Sequence, residues 1–132
     1  MKNRYFILLL CVFLYASNIV YSNEITFDSN EIEVLDNGNT IIASQGLARS
    51  LDNNIEIKAD NFNYNKNLSI IIATGNVVVK ELTNNILLRS NEIFYNIGNE
   101  KIESKSSSEI EDESGNLFLS KNFIFNLKNN LI

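Results

Sequence analysis

Four stretches of the chain share one pattern of apolar and polar positions. Ile25 to Val34, Ile55 to Tyr64, Ile86 to Tyr95 and the shorter Leu117 to Phe125 each hold two brief alternating runs around a polar pivot. The pivots are Asn30, Asp60, Asn91 and Lys121, spaced 30, 31 and 30 residues apart. Strict alternation predicts half-buried strands. The alternation shifts at the pivot, with Ile55 and Ile57 before it and Phe62 and Tyr64 after it. An inserted residue of this kind is a β-bulge, which bends a strand and keeps both apolar sets on one face. Asn and Asp suit the position because their side chains bond nearby backbone and tolerate unusual φ/ψ.

A second strand is predicted between pivots. It is clearest from Ser69 to Val79, where Ile71, Ala73, Val77 and Val79 share one parity, and Thr40 to Arg49 is its counterpart. Gly46 and Gly75 mark places where a strand bends or another backbone comes close. The third copy, Lys101 to Glu111, is polar and lacks glycine. Asp36-Asn37-Gly38, Asp52-Asn53-Asn54, Asn65-Lys66-Asn67, Thr83-Asn84-Asn85 and Glu113 to Asn116 supply turn residues between the pieces. After residue 22 there is no helical stripe, so the expectation is one antiparallel all-β domain of repeats of about 30 residues. A last turn at Lys128 to Asn130 leaves the fourth repeat incomplete.

The first 22 residues break this pattern. Lys2 and Arg4 precede an uncharged apolar run from Tyr5 to Tyr15, and Val20-Tyr21-Ser22 ends in a small residue. This predicts a cleaved secretory signal over 1–22 and a mature domain over 23–132, a retained anchor being the alternative. Cys11 is the only cysteine. It sits too early, and after too large a residue in Leu10, to be a lipidated cysteine, so the mature chain has no thiol for a disulfide or metal site.

Residues 23–132 carry nine Lys and Arg against sixteen Asp and Glu, a net charge of −7. Nucleic acid is therefore not an expected partner. The chain contains no His, and with no mature Cys the usual base and nucleophile pairings cannot be assembled. Only a carboxylate pair would remain for catalysis. The one acidic cluster, Glu109, Glu111, Asp112 and Glu113, reads as a solvated loop and lacks the ligand spacing of a calcium site. The expectation is a protein that is not an enzyme and holds no cofactor or metal.

At the residues Ala59-Asp60-Asn61-Phe62-Asn63-Tyr64 and Ile71 to Val79, with a weaker copy at Ser90 to Tyr95, the chain resembles the OstA-like family of lipopolysaccharide-transport proteins. The resemblance covers about Glu24 to Phe125. It implies a β-jellyroll open along one side, whose apolar interior shelters acyl chains, and which stacks edge to edge across the periplasm between the inner and outer membranes. The implied partners are lipopolysaccharide and other jellyrolls of that bridge, including further copies of itself. Two departures stand out: Ser106 to Ser108 replace the expected glycine-asparagine-valine, and the last repeat is cut short. A free-standing bridge protein is favoured; the periplasmic N-terminal domain of the outer-membrane translocon, and a lipid-free β-solenoid of the cell surface, are the alternatives.

Parity and resemblance together nominate a groove lining of Ile57, Phe62, Tyr64, Ile71, Val77, Val79, Leu88, Ile93, Tyr95, Leu119 and Phe123. Ordinary core packing is the competing reading of each. Strands near Glu24 to Leu35 and Phe118 to Leu127 are expected to be exposed edges.

Overall fold

A computed structural model describes residues 25–129. The signal over 1–22, and anything begun by Leu131 and Ile132, lie outside the described residues. The strands are β1 (Ile25–Leu35), β2 (Thr40–Ser50), β3 (Ile55–Asn65), β4 (Ile70–Glu81), β5 (Ile86–Asn96), β6 (Lys101–Ser104), β7 (Ser108–Glu111), β8 (Leu117–Ser120) and β9 (Phe123–Asn126). All pairs are antiparallel. They follow the order β1-β2-β3-β4-β5-β6-β9, with β7 on β5 and β8 on β7. No pairing joins β1 to β8 or β9 among the described residues, so the sheet is open.

Each long strand is bent at its pivot and contributes to two layers. Layer one takes the halves Ile25–Ser29, Gly46–Ser50, Ile55–Ala59, Val77–Glu81 and Ile86–Ser90, then β7 and β8. Layer two takes Glu31–Leu35, Thr40–Ser44, Asn61–Asn65, Ile70–Thr74 and Glu92–Asn96, then β6 and β9. The corner between the layers runs along the pivots. Gln45 adopts φ 47, and Gly75 and Asn76 adopt φ 76 and 47. The pairing register shifts on both sides of Gly75-Asn76, so β4 carries a bulge relative to both neighbours. Side chains stitch the corner: Asn30 Nδ2 donates to Gln45 Oε1 at 3.1 Å, and Asn76 Nδ2 to Asp60 Oδ2 at 2.8 Å. A Cβ on Gly46 would overlap the carbonyl of Asp28, which is the close backbone approach its position predicts.

The inner faces of the two layers make one core. Burial in β3 falls on Ile55, Ile57, Ala59, Phe62 and Tyr64, the expected parity shift, but β3 passes Asp60 in unbroken register with β2, so the inserted residue expected at the pivot belongs to β4 instead. Across the layers, the Phe27 ring meets Phe62 edge-on with centroids 5.6 Å apart, a geometry that favours the opposed quadrupoles. The turns at the layer rims also stack, Lys66 N bonding Asn39 O, Ile97 N bonding Ser69 O and Leu127 N bonding Glu100 O at 2.8–2.9 Å. Residues ending these turns, Asn54, Ser69, Asn85 and Glu100, all have positive φ. This ladder is the structural form of the sequence period.

The third repeat departs from the others where the sequence does. Instead of one bent strand, Lys101 to Glu111 forms β6 and β7 with a break between them. The corner there is a cluster of hydroxyls: Ser90 Oγ lies 3.0 Å from Ser104 Oγ, 2.8 Å from Ser106 Oγ and 3.1 Å from Ser108 Oγ. Serines bond to one another and to backbone in place of a glycine bulge, and the chain turns the corner without ladder hydrogen bonds.

Candidate functional site

The interior between the layers is apolar, closed at its centre and open at one end. Ile57, Phe62, Ile71, Val77, Val79, Leu88, Ile93 and Tyr95 are each at most 2% exposed, Phe123 is 5% and Tyr64 is 7%. Ten of the eleven nominated residues thus share the inner face. The structure moves the eleventh: Leu119 is 77% exposed and lies opposite Glu109, on the outer face. Phe118, opposite the buried Ile110, is the inward residue of β8. Three apolar residues in a row, Leu117-Phe118-Leu119, carry no parity of their own, so only the pairing with β7 assigns the face.

At the β8–β9 end the layers separate. Because the strands break at Lys121 and Asn122, β8 follows layer one and β9 follows layer two. The cleft between them, about 600 Å³, is lined by Ile110, Phe118, Ser120, Asn122, Phe123 and Ile124. Phe118 is 52% exposed within it. Apolar surface held open to solvent in this way is unfavourable by roughly 25 cal/mol per Å² until something covers it. At the opposite end, Ile32 and Val34 face inward from β1, paired with Ala43 and Ile41, and are 49% and 58% exposed. There Phe27 leans across from layer one onto Phe62 and Tyr64, narrowing that entrance.

Away from the corner the layers meet along a seam, where polar groups share the inner face. Tyr95 is fully buried, and its hydroxyl accepts a hydrogen bond from Asn53 Nδ2 at 2.6 Å, from a turn on the other rim. Burial, the dominant influence, pushes the Tyr95 phenol up from its ordinary pKa, against the opposing influence of the Ser50 and Asn53 side chains. Glu81 is 4% exposed. Burial alone would raise its carboxyl, but bonds from Asn84 N at 2.7 Å, Thr83 N at 2.8 Å and Asn84 Nδ2 at 3.0 Å outweigh that and lower its pKa. It caps the β4–β5 turn as a charged acceptor. The outer acids Glu109 and Glu111 pair with Arg89 at 2.7 and 3.3 Å, and Asp112 binds the Asn116 and Ser114 amides of its own turn. Glu109 and Glu111 thus stand on the outer face of strand β7 and not in the solvated loop expected of them, while Asp112 belongs to the turn that follows.

No family model matches the sequence, and no curated protein matches it. Among solved structures the fold is found in LptH, described as the LptA-homologous periplasmic component of the conserved lipopolysaccharide transport device from Pseudomonas aeruginosa. The two superpose with a TM-score of 0.72 over 83% of this chain and 80% of that one, at 10% sequence identity. The likeness shows a shared architecture: this chain is an open, all-β jellyroll of the LptH type.

Proposed function

We propose that this chain, built on the jellyroll of LptH, carries lipopolysaccharide across the periplasm toward the outer membrane as a free-standing bridge component, without catalysis. The observation that carries the reading is the apolar interior with an open mouth between β8 and β9. Acyl chains gain about 0.8 kcal/mol per CH₂ on entering such a surface, and equal gains in successive grooves let them pass onward. Phe118 and Phe123 are the first residues a tail meets. Ile57, Phe62, Tyr64, Ile71, Val77, Val79, Leu88, Ile93 and Tyr95 line the deeper groove once the layers part. Purification of the tagged protein from the periplasm of a bacterium with an outer membrane tests this. Lipopolysaccharide co-purifies with the wild type and is lost on Phe118→Asp; a lipid-free wild type would contradict it. The same preparation should begin near Asn23, and a lipid adduct on Cys11 would contradict export by signal cleavage.

Bridging supplies a use for the free edges. Among the described residues β1 leaves one side of its backbone unpaired, as do β8 and β9, and such edges accept strands from partners. The two edges differ in charge. Residues 25–36 hold Asp28, Glu31, Glu33 and Asp36 with no base, while residues 117–128 hold Lys121 and Lys128 with no acid. Complementary edges favour head-to-tail contact, with a further copy or another jellyroll, over symmetric pairing of like edges.

A further inference from the structure

The two layers are joined differently along their two sides. At the corner, β1 to β5 each pass from one layer to the other as a single strand, and side chains bond across the pivots. At the seam, among the described residues, no strand crosses and one side-chain hydrogen bond spans the layers: Asn53 Nδ2 donates to the Tyr95 hydroxyl at 2.6 Å. Asn53 belongs to the turn between β2 and β3, on the rim of layer one, and Tyr95 to the layer-two half of β5. The buried Ser50 hydroxyl, also of layer one, stands beside them and can donate to the Tyr95 oxygen or accept from it. The bonds between neighbouring turns stay within one layer, Leu82 N reaching Asn54 O and Ile97 N reaching Ser69 O. Around Asn53 the rims leave a depression of about 260 Å³, with Asp52 and Thr83 on one side and Glu100 and Lys128 on the other. Phe125, at the place of Tyr95 in the next repeat, is buried without a hydroxyl, so the phenol is not a requirement of core packing.

This asymmetry makes the corner a hinge and the seam the side that opens. Ile71, Val77 and Ile93 are at most 1% exposed, so a tail reaches them only when the layers part. Parting leaves the strand ladders whole, because they run within each layer. It separates the two inner faces and breaks the bond between Asn53 and Tyr95. We infer that Asn53 and Tyr95 form a latch across the seam, which sets how often the layers part and so how fast an acyl chain passes from the β8–β9 mouth into the deeper groove. Such a bond biases an open–closed equilibrium by its own worth.

The latch deepens the lipid-carrying reading, and two readouts separate them. Cys11→Ser removes the chain's only cysteine, so Val79→Cys, or Val77→Cys as a second reporter, then places a single thiol on the inner face. That thiol should react with a maleimide at least about tenfold more readily than the β3–β4 ladder amides exchange, each rate scaled to its unprotected value, since local opening precedes unfolding. Asn53→Ala and Tyr95→Phe should each speed the labelling roughly three- to tenfold, the worth of one hydrogen bond. The double substitution should add little more, because both remove the same bond. Asn54→Ala, which removes a bond to Thr83 inside layer one, should leave labelling unchanged. Uptake of lipopolysaccharide carrying a fluorophore on its sugar should speed in the same order. Labelling no faster than amide exchange, or unmoved by Asn53→Ala and Tyr95→Phe, would overturn the latch whatever the lipid does. Uptake by the wild type that ignores the faster labelling of the variants would overturn it too. Faster labelling in a protein that takes up no lipopolysaccharide would keep the latch as a device of the fold and overturn carriage.

Discussion

Glu81 is the one carboxylate among the described residues that the fold draws inside, and its effect on stability has a definite sign. Its pKa in the folded chain is lowered, so the stabilisation is present above the ordinary carboxyl value of about 4.3 and is lost as pH falls through the folded value. Glu81→Gln should cost about 1–2 kcal/mol at neutral pH, because two backbone N–H groups lose a charged acceptor. It should also flatten the acid limb of the stability curve measured by urea unfolding between pH 7 and 3. Tyr95 acts at the other extreme. Its raised pKa keeps the phenol neutral, and that stability persists below about pH 10 and is lost as pH rises further. Gly46→Ala forces a methyl group against the Asp28 carbonyl and should cost roughly 1–3 kcal/mol, the range for overpacking. Gly46 is legible in the sequence as an interruption in an otherwise β-forming run. Ser50 and Glu81 are less so: each continues the inward parity of its strand, Ser50 after Ala48 and Glu81 after Val77 and Val79, but its polar side chain disguises it.

At the scale of elements, the pivots carry most of what the sequence reveals. Parity shifts at Asn30, Asp60 and Asn91 predict bent strands, and the structure bends them there. Gly75-Asn76 behaves differently, since two successive residues at positive φ give β4 an extra residue against both neighbours. The inner residues Ile71 and Val77 therefore keep one parity on both sides of it. The last two strands are less legible. An apolar triplet in β8 hides its face, and the placement of Leu119 inside is corrected by its pairing with Glu109. Substitution separates the two faces: Leu119→Asp should change stability by no more than about 0.5 kcal/mol. Ile71→Asp, at a fully buried site, should cost more than about 3 kcal/mol and leave little folded protein. Thermal melts of the two variants check both statements. The second follows from a centre that is packed in this conformation, where a charge disrupts folding rather than transport alone.

For the molecule as a whole, fold and inner face are legible because a repeat states the same information several times, whereas the ends of the array state it once. Neither the mouth at β8–β9 nor the narrowing by Phe27 can be read from period or parity. Both depend on where the layers diverge, which is set by the break at Lys121-Asn122 and by a ring crossing between layers. The charges of the edges add a further expectation. Self-association measured by sedimentation should weaken as salt rises from about 20 to about 300 mM, since exposed complementary charges are screened. Lys121→Glu with Lys128→Glu should abolish it, and the acidic-edge reversal Glu31→Lys, Glu33→Lys should restore it when the two proteins are mixed. Association unaffected by salt and by both reversals would show that the edges meet without regard to charge. The central claim, that a lipid tail enters between the layers, is tested most directly by photo-crosslinking in living cells. A photoreactive residue placed singly at Phe118 or Phe123 should capture lipopolysaccharide, while one at Leu119 or Asn63, on the outer face, should capture little. Equal capture on both faces, or capture at none of the four positions, would contradict the account.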